Sequence, residues 1–195
     1  MNNIETGLSR DAVTSGVAKG ALTAHDAFAK GAYTVECRDA NGQLKWTEEF
    51  PNLVVNGGIQ NMNTVYFTNA TYTAAWYLGL ITGPGSGNTY AAGDTMSSHA
   101  GWTENTGYSQ STRPACSFGT ATTANPSVIS NSGSTATFSI NATATIAGAF
   151  LTSNSTKGGT TGTLFSAASF SSPGDRAVVS GDTLTVTYSF SLTGS

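Results

Sequence analysis

Apolar and polar side chains alternate most strictly near the C-terminus of the chain. Successive side chains of a strand point to opposite faces of a sheet, so this alternation predicts a strand with one buried face over residues 183–193. Residues 134–143 show the same alternation around Phe138 and Ile140 and predict a second strand of this kind. The apolar positions of the C-terminal strand are Leu184, Val186, Tyr188, Phe190 and Leu192.

A β-hairpin is predicted over residues 33–47. Apolar residues occupy alternate positions from Tyr33 to Cys37, and again at Leu44 and Trp46. The intervening sequence DANG supplies turn-forming residues, and its glycine is free to adopt a positive φ. Most of the charged residues of the hairpin fall between the apolar positions, so one of its faces is expected to be in water.

The middle of the chain predicts more strands and one short helix. Residues 74–82, AAWYLGLIT, form a continuous apolar run of strand length and predict a buried strand. Ile59, Met62 and Tyr66 recur at helical spacing and predict a helix near 58–67. Further candidate strands are residues 113–121, 145–152 and 162–170.

These short strands are separated by clusters of Gly, Asn and Ser at fairly regular spacing. Such a sequence is typical of a sandwich or a jelly roll. The predicted fold is therefore mainly β, a β-sandwich or jelly-roll-like domain over residues 32–195, with one short helix and an extended N-terminal arm.

The arm is predicted to comprise residues 1–31, which show no clean helical or strand period. Short helical turns are expected within it around SRDAV and LTAHDAFAK. Its apolar side chains are too few to offset the backbone entropy lost on ordering, so we expect the arm to become ordered against a partner. The apolar side chains expected to make that contact are Ile4, Leu8, Val13, Val17, Leu22 and Phe28.

The charge of the chain argues against several classes of partner. Only 10% of its residues are charged, and 8 Lys and Arg are outnumbered by 11 Asp and Glu, so a phosphate-binding stripe and nucleic acid binding are not expected. No apolar run approaches the roughly 18 residues of a membrane span, and no secretory signal is visible at the N-terminus. A neutral surface rich in Thr, Ser and Asn suits packing against other protein.

The chain offers few groups for a metal or a cofactor. Cys37 and Cys116 are far apart, and Cys37 lies in an alternating pattern where it is expected to act as a small buried apolar residue. The chain contains no CxxC sequence and no closely spaced histidine pair, so neither a zinc site nor another cofactor site is expected.

One stretch, GDTMSSHAGW at 93–102, has the residue types of a hydrolase triad. Asp94, Ser97, Ser98 and His99 are close in sequence, whereas a triad normally draws its members from distant segments that converge on one point. The alternative is a loop that folds back over an apolar surface, with Asp94 making a turn. We favour the loop and do not expect an enzyme.

Several segments between residues 31 and 193 carry a resemblance to a known family, namely YTVECRDANGQLKW, FPNLVVNGG, WYLGLITG, AAGDTMSSHAGWTE, YSQSTRPA, GTLFSAASF and GDTLTVTYSFSL. With these segments the chain resembles a family of small virion proteins of tailed bacteriophages. The resemblance implies a structural particle component, a head decoration or cement protein without catalytic residues, made in the host cytoplasm and located on the surface of the phage head. It implies the major capsid protein and other copies of the chain, as a dimer or trimer, as partners.

The alternative function is a tail or head-fibre component that binds a host receptor. Receptor-binding domains of phages are also Thr- and Gly-rich β-sandwiches, and they often present aromatic rings to sugars. Tyr72, Trp76 and Tyr77 are candidates for that role, although AAWYLGLI fits a core strand better.

Overall fold

A computed structural model describes residues 27–72, 75–171 and 174–194 and confirms the mainly β fold. Two antiparallel sheets pack face to face, and one helix lies at the edge. The strands are β1 (Ala27–Arg38), β2 (Leu44–Pro51), β3 (Leu53–Val54), β4 (Tyr77–Thr82), β5 (Glu104–Asn105), β6 (Ser127–Ser130), β7 (Ala136–Ser139), β8 (Ala144–Thr152), β9 (Leu164–Ser169), β10 (Arg176–Val178) and β11 (Thr183–Gly194), and the helix is α1 (Asn56–Phe67).

The first sheet has the order β2-β1-β11-β6, and β7 also pairs with β11. The long strands β1 and β11 run antiparallel over their whole length, with Tyr33 opposite Tyr188 and Val35 opposite Val186. All four side chains are completely buried, because the alternate residues of both strands point to the second sheet. The predicted hairpin and C-terminal strand are thus confirmed as the centre of this sheet.

The second sheet has the order β3-β9-β8-β4-β5, and β10 also pairs with β8. Unlike the first sheet, it is apolar on both faces, and this explains the continuous apolar run of β4. The inner face packs on the first sheet, and the outer face forms a second core under the loop that follows β4. That outer core contains Val55, Ile81, Met96, Trp102, Ala147, Phe150, Leu164 and Ala167.

A small hydrogen-bond network joins the two sheets inside the main core. The hydroxyl oxygens of Tyr33 and Ser166 are 2.7 Å apart, and Asn52 Nδ2 donates to Tyr188 Oη over 3.1 Å. Burial raises the pKa of Tyr188 to about 12, and it also raises that of Tyr33. Both phenols therefore remain neutral at ordinary pH. Their hydroxyl groups make these hydrogen bonds without placing a charge in the core.

Helix α1 lies where the sequence predicts it, but it contacts the core through a glycine. An added Cβ at Gly58 would lie 2.6 Å from the carbonyl oxygen of Phe165, so the helix backbone approaches β9 closely. Ile59 and Tyr66 are exposed, and Met62 packs only at the margin of the core. The helix therefore leaves apolar side chains at the surface.

Residues 113–121 do not form the strand that the sequence predicts. The backbone N–H of Cys116 donates to the carbonyl oxygen of Trp76, beside β4, over 2.7 Å. Further along, the N–H of Gly119 donates to the carbonyl oxygen of Ser130 in β6 over 2.9 Å. The segment crosses from the second sheet to the first, so its hydrogen bonds are divided between them and it makes no continuous ladder with either. We call residues 113–121 the crossing segment.

The boundary of the predicted arm is also corrected. The sequence placed residues 27–31 in the arm and a helical turn around LTAHDAFAK, whereas β1 already begins at Ala27. The reason is tertiary pairing, since β11 continues to Gly194 and provides a partner for each of these residues. Residues 1–26, the remainder of the predicted arm, lie outside the described residues.

Both cysteines are free and buried. Cys37 faces the main core from β1, as the sequence predicts, and Cys116 lies in the crossing segment. Burial raises the pKa of Cys37 to about 11 and that of Cys116 to about 12. At neutral pH both groups are protonated, and a protonated, buried thiol is a poor nucleophile.

Close packing of β8 against β9 predicts a sharp effect of one added methyl group. In Gly148→Ala, the new Cβ would press on the carbonyl oxygen of Ala168 and lie 2.8 Å from Cα of Ser169. We expect the free energy of unfolding to fall by about 2 kcal/mol, since backbone cannot move aside cheaply. Urea unfolding checks this, with Gly133→Ala as the control, because its Cβ would meet nothing within 4 Å. Equal stabilities of the two variants would contradict the packing.

Candidate interaction surface

The stretch GDTMSSHAGW forms part of the cover over the outer core. Met96 and Trp102 of this loop are buried against the outer face of the second sheet, and the Trp102 ring centroid lies 5.1 Å from that of Phe150 in β8. The loop is needed there because the second sheet is apolar on its outer face and would otherwise expose it to water.

The acid, serine and histidine side chains of this loop make contacts within the loop itself. The His99 ring stacks on the Trp102 ring at 3.9 Å between centroids, and its Nδ1 is 3.0 Å from the Trp102 carbonyl oxygen. Asp94 Oδ2 accepts from Trp102 Nε1 over 3.4 Å, and Ser97 Oγ lies 3.1 Å from the hydroxyl of Thr95. The geometry agrees with the loop interpretation, since serine, imidazole and carboxylate do not form a relay.

The remaining carboxylates near possible sites also have structural partners. Glu48 is buried and paired with Arg176, with Nε 2.6 Å from Oε1. Asp175 accepts from the backbone N–H of Gly85 at 2.9 Å and so fixes the GPGSG turn. Within the described ranges, no group of three or more His, Cys, Asp or Glu residues is arranged to hold a metal ion.

The most deeply buried charged group is Arg113, the first residue of the crossing segment. Its side chain is fully buried, and it forms a two-pronged ion pair with Glu104 of β5, with N–O distances of 2.9 and 2.7 Å. The guanidinium also donates to the carbonyl oxygens of Asn154 and Gly159 and lies 5.2 Å from the Phe150 ring centroid. Arg113 therefore joins β5 and the crossing segment to the connection between β8 and β9.

An apolar groove opens at the end of the sandwich where β1 begins and β11 ends. It has a volume of about 570 Å³ and lies between the inner faces of the two sheets, with α1 on one side and the crossing segment on another. None of the described residues that line it carries a charged side chain. The residues that line the apolar groove are Asn61, Met62, Asn63, Val65, Tyr66, Phe67, Tyr72, Trp76, Phe118, Ile129, Leu151, Phe165, Tyr188, Phe190 and Leu192.

The rim of the groove carries exposed aromatic side chains. Tyr66 is 82% exposed, Phe67 is 76% exposed and Tyr72 is 69% exposed. The rings of Tyr66 and Phe67 contact each other edge to face, with centroids 4.9 Å apart. Exposed apolar clusters of this kind beside an apolar groove are typical of interaction sites.

The residues predicted to contact a partner fall in two groups. Phe28 lies in β1 and is 50% exposed, opposite Thr193. It is near the same end of the sandwich as the groove, because Ala29 pairs with the groove residue Leu192. Ile4, Leu8, Val13, Val17 and Leu22 lie outside the described residues.

The aromatic residues considered for sugar binding are not equivalent. Tyr72 is exposed on the rim, whereas Trp76 is half-buried and packs edge to face on Phe165 at 5.3 Å between centroids. Tyr77 belongs to β4 and pairs with Thr152. Only Tyr72 and one side of Trp76 face the groove, so these residues do not form a single platform of stacked rings.

Sequence reasoning did not identify the groove. The helical spacing of Met62 and Tyr66 was visible in the sequence. It does not reveal that the helix contacts β9 through Gly58, or that Met62 and Tyr66 line a groove. Phe118 was assigned to a strand rather than to a segment that crosses between sheets. The signal that was available is the group of aromatic residues at the end of the predicted helix and just after it, Tyr66, Phe67 and Tyr72.

Comparisons with known proteins identify no relative of this chain. Family models, curated proteins and solved structures all give no match. In the part of the chain that the structure describes, α1 is too short to cross a bilayer.

The buried ion pair predicts a large difference between two arginine substitutions. Arg113→Met leaves the carboxylate of Glu104, whose side chain is 9% exposed, without its guanidinium partner, and we expect a loss of about 3–5 kcal/mol in the free energy of unfolding. Arg38→Met breaks an exposed pair with Glu36, for which about 1 kcal/mol or less is expected. Urea unfolding at pH 7 measures both, and similar losses would show that Arg113 is not the anchor described.

Proposed function

We propose that the protein is a structural component of a bacteriophage particle, and that it binds and stabilises the head shell as a capsid decoration, or cement, protein. The observation that carries the proposal is the uncharged apolar groove with its exposed aromatic rim. The resemblance to small virion proteins points to the same class of function. In this proposal the partners are the major capsid protein and other copies of the chain, and the protein is not an enzyme.

The surface chemistry supports a role in protein packing. The lining of the groove has no charge, so another protein segment can cover it without burying an unpaired ion. Aromatic side chains such as Tyr66, Phe67 and Tyr72 are enriched at the centres of protein interfaces, because they bury much area for little lost side-chain freedom. The low charge of the whole chain fits the same use.

Repetition on a symmetric shell would strengthen weak contacts. Each copy bound beside another gains from a high effective concentration of further sites, so modest contacts per copy give tight attachment of the layer. Residues 1–26 precede β1 and supply apolar side chains for a capsid or for a neighbouring copy. In this proposal they add to the attachment rather than to the folding of the domain.

A tail or head-fibre component that binds a host receptor is the second candidate. Tyr72 and Trp76 favour it, because both face the groove and aromatic rings stack on sugars. Among the described residues, the lining offers few hydrogen-bonding side chains: the amides of Asn61 and Asn63, the indole of Trp76 and the phenols of the tyrosines. Since sugars need many polar contacts, the groove fits a protein segment better than a glycan.

Copy number separates the two candidates. A cement protein covers the shell, so we expect its amount in purified particles to be comparable with that of the major capsid protein. Quantitative mass spectrometry of the purified particles measures this ratio directly. A ratio that corresponds to only a few copies per particle would favour the fibre and overturn the cement proposal.

Shortening the chain to begin at Ala27 tests the role assigned to the preceding residues. The buried core residues that the structure describes begin at Tyr33, so we expect the shortened chain to keep a melting temperature within a few degrees of that of the full chain. It should bind particles that lack the protein at least about tenfold more weakly, which corresponds to about 1.4 kcal/mol. Equal binding by the shortened and full chains in a sedimentation assay would show that residues 1–26 are passive.

A further inference from the structure

The apolar groove is the point where the interior of the sandwich opens to solvent. Tyr188, Phe190 and Leu192 of β11 form one wall, and Leu151 and Phe165 of the second sheet form the other. These are inner-face residues of the two sheets, continuous with the main core. Whatever covers the groove therefore extends the hydrophobic core and must itself be apolar and uncharged.

The chain enters the domain beside this groove. Ala29 pairs with Leu192, which lines the groove, and Ala27 pairs with Gly194 two residues further out. Because a strand rises about 3.3 Å per residue, Ala27 lies about 7 Å beyond the rim position set by Leu192. Residues 1–26 are thus attached at the same end of the sandwich as the groove.

The sequence of residues 1–26 contains one stretch that fits an uncharged groove. Residues 12–18, AVTSGVA, are the longest run there without Asp, Glu, Lys or Arg, and they are bounded by Asp11 and Lys19. The run places Val13 and Val17 among small side chains. Two apolar side chains flanked by small residues suit a groove whose walls are formed largely by aromatic rings.

We propose that the apolar groove of one copy binds residues 12–18 of a neighbouring copy, with Val13 and Val17 against the aromatic walls. Copies of the chain are then linked by exchange of their N-terminal segments. This contact rests on the part of the proposed function in which residues 1–26 contact a neighbouring copy, but it can be tested with this chain alone, separately from binding to a capsid.

The direction of β1 favours a neighbouring copy over the same copy. At Ala27 the strand is heading out past Leu192, away from the groove, so its own segment would have to reverse to enter. Residues 19–26 span at most about 28 Å when extended, which is enough to reach a second domain in contact with the first. A segment arriving from outside enters the open end without such a reversal.

Engineered thiols in the full chain test the contact. One variant carries Val13→Cys and another carries Tyr66→Cys on the rim of the groove, and the native thiols of Cys37 and Cys116 are buried and should not interfere. When the two variants are mixed under mild oxidation, we expect a disulfide-linked heterodimer on a non-reducing gel. The matched control replaces Tyr66→Cys with Asn41→Cys, which is exposed in the β1–β2 turn at the far end of β1.

The expected yield with the groove thiol is about tenfold above that with the control thiol, because docking raises the local concentration of the two groups. A chain that carries both Val13→Cys and Tyr66→Cys shows whether the bond forms within one copy. An intramolecular disulfide there, without heterodimer in the mixture, would assign the groove to the chain's own segment and overturn the proposal. Equal yields with the groove and control thiols would overturn it as well.

A second measurement uses charge instead of thiols. In light scattering, we expect the wild-type chain to be assembled and the double variant Val13→Asp with Val17→Asp to be monomeric. The melting curve of the double variant should retain a cooperative transition. Thr6→Asp with Ser9→Asp adds the same charge outside residues 12–18 and should leave the assembly intact. Persistent assembly of the valine variant, or a monomeric wild-type chain at high concentration, would show that copies are not joined through this contact.

Discussion

The buried ion pair between Arg113 and Glu104 fixes the part of the fold that shapes the groove. A guanidinium without contact to water is stable only if its donors are satisfied, and here they reach Glu104 and the carbonyl oxygens of Asn154 and Gly159. The crossing segment starts from this fixed point and runs to the first sheet. It carries Phe118 into the wall of the groove, so the shape of the apolar surface depends on a polar anchor outside it.

The limits of sequence reasoning follow from the range of each interaction. The alternation in β1 and β11 is local and strong, so the predicted hairpin and C-terminal strand were confirmed. The partners of Arg113 lie 9, 41 and 46 residues away, and no local pattern signals them. The shortest strands, such as β3 and β5 with 2 residues each, are likewise defined only by their pairing. The groove was missed for the same reason, since it is bounded by elements that are distant in sequence.

The side chains of the stretch GDTMSSHAGW are arranged around a structural need of the second sheet. A sheet that is apolar on both faces needs a cover, and the cover uses Trp102 because a large ring fills the space over Phe150. The indole N–H then needs an acceptor, which Asp94 provides, and the exposed side of the ring is covered by His99. Asp94 and His99 are thus brought together because both contact the tryptophan between them.

Charge is used inside this domain and is kept away from its apolar surface. The buried acids Asp182 and Glu48 are each paired with a base, as Glu104 is with Arg113, so ionic contacts are employed to hold the fold together. The groove, by contrast, is lined by uncharged side chains in the part of the chain that the structure describes. Contacts made there depend on buried apolar area and on shape, so their strength does not fall when salt screens charges. Exposed ion pairs, in contrast, weaken as ionic strength rises. A component bound in this way would keep its partner through wide changes of salt, because the charges that salt could screen do not contribute to the contact.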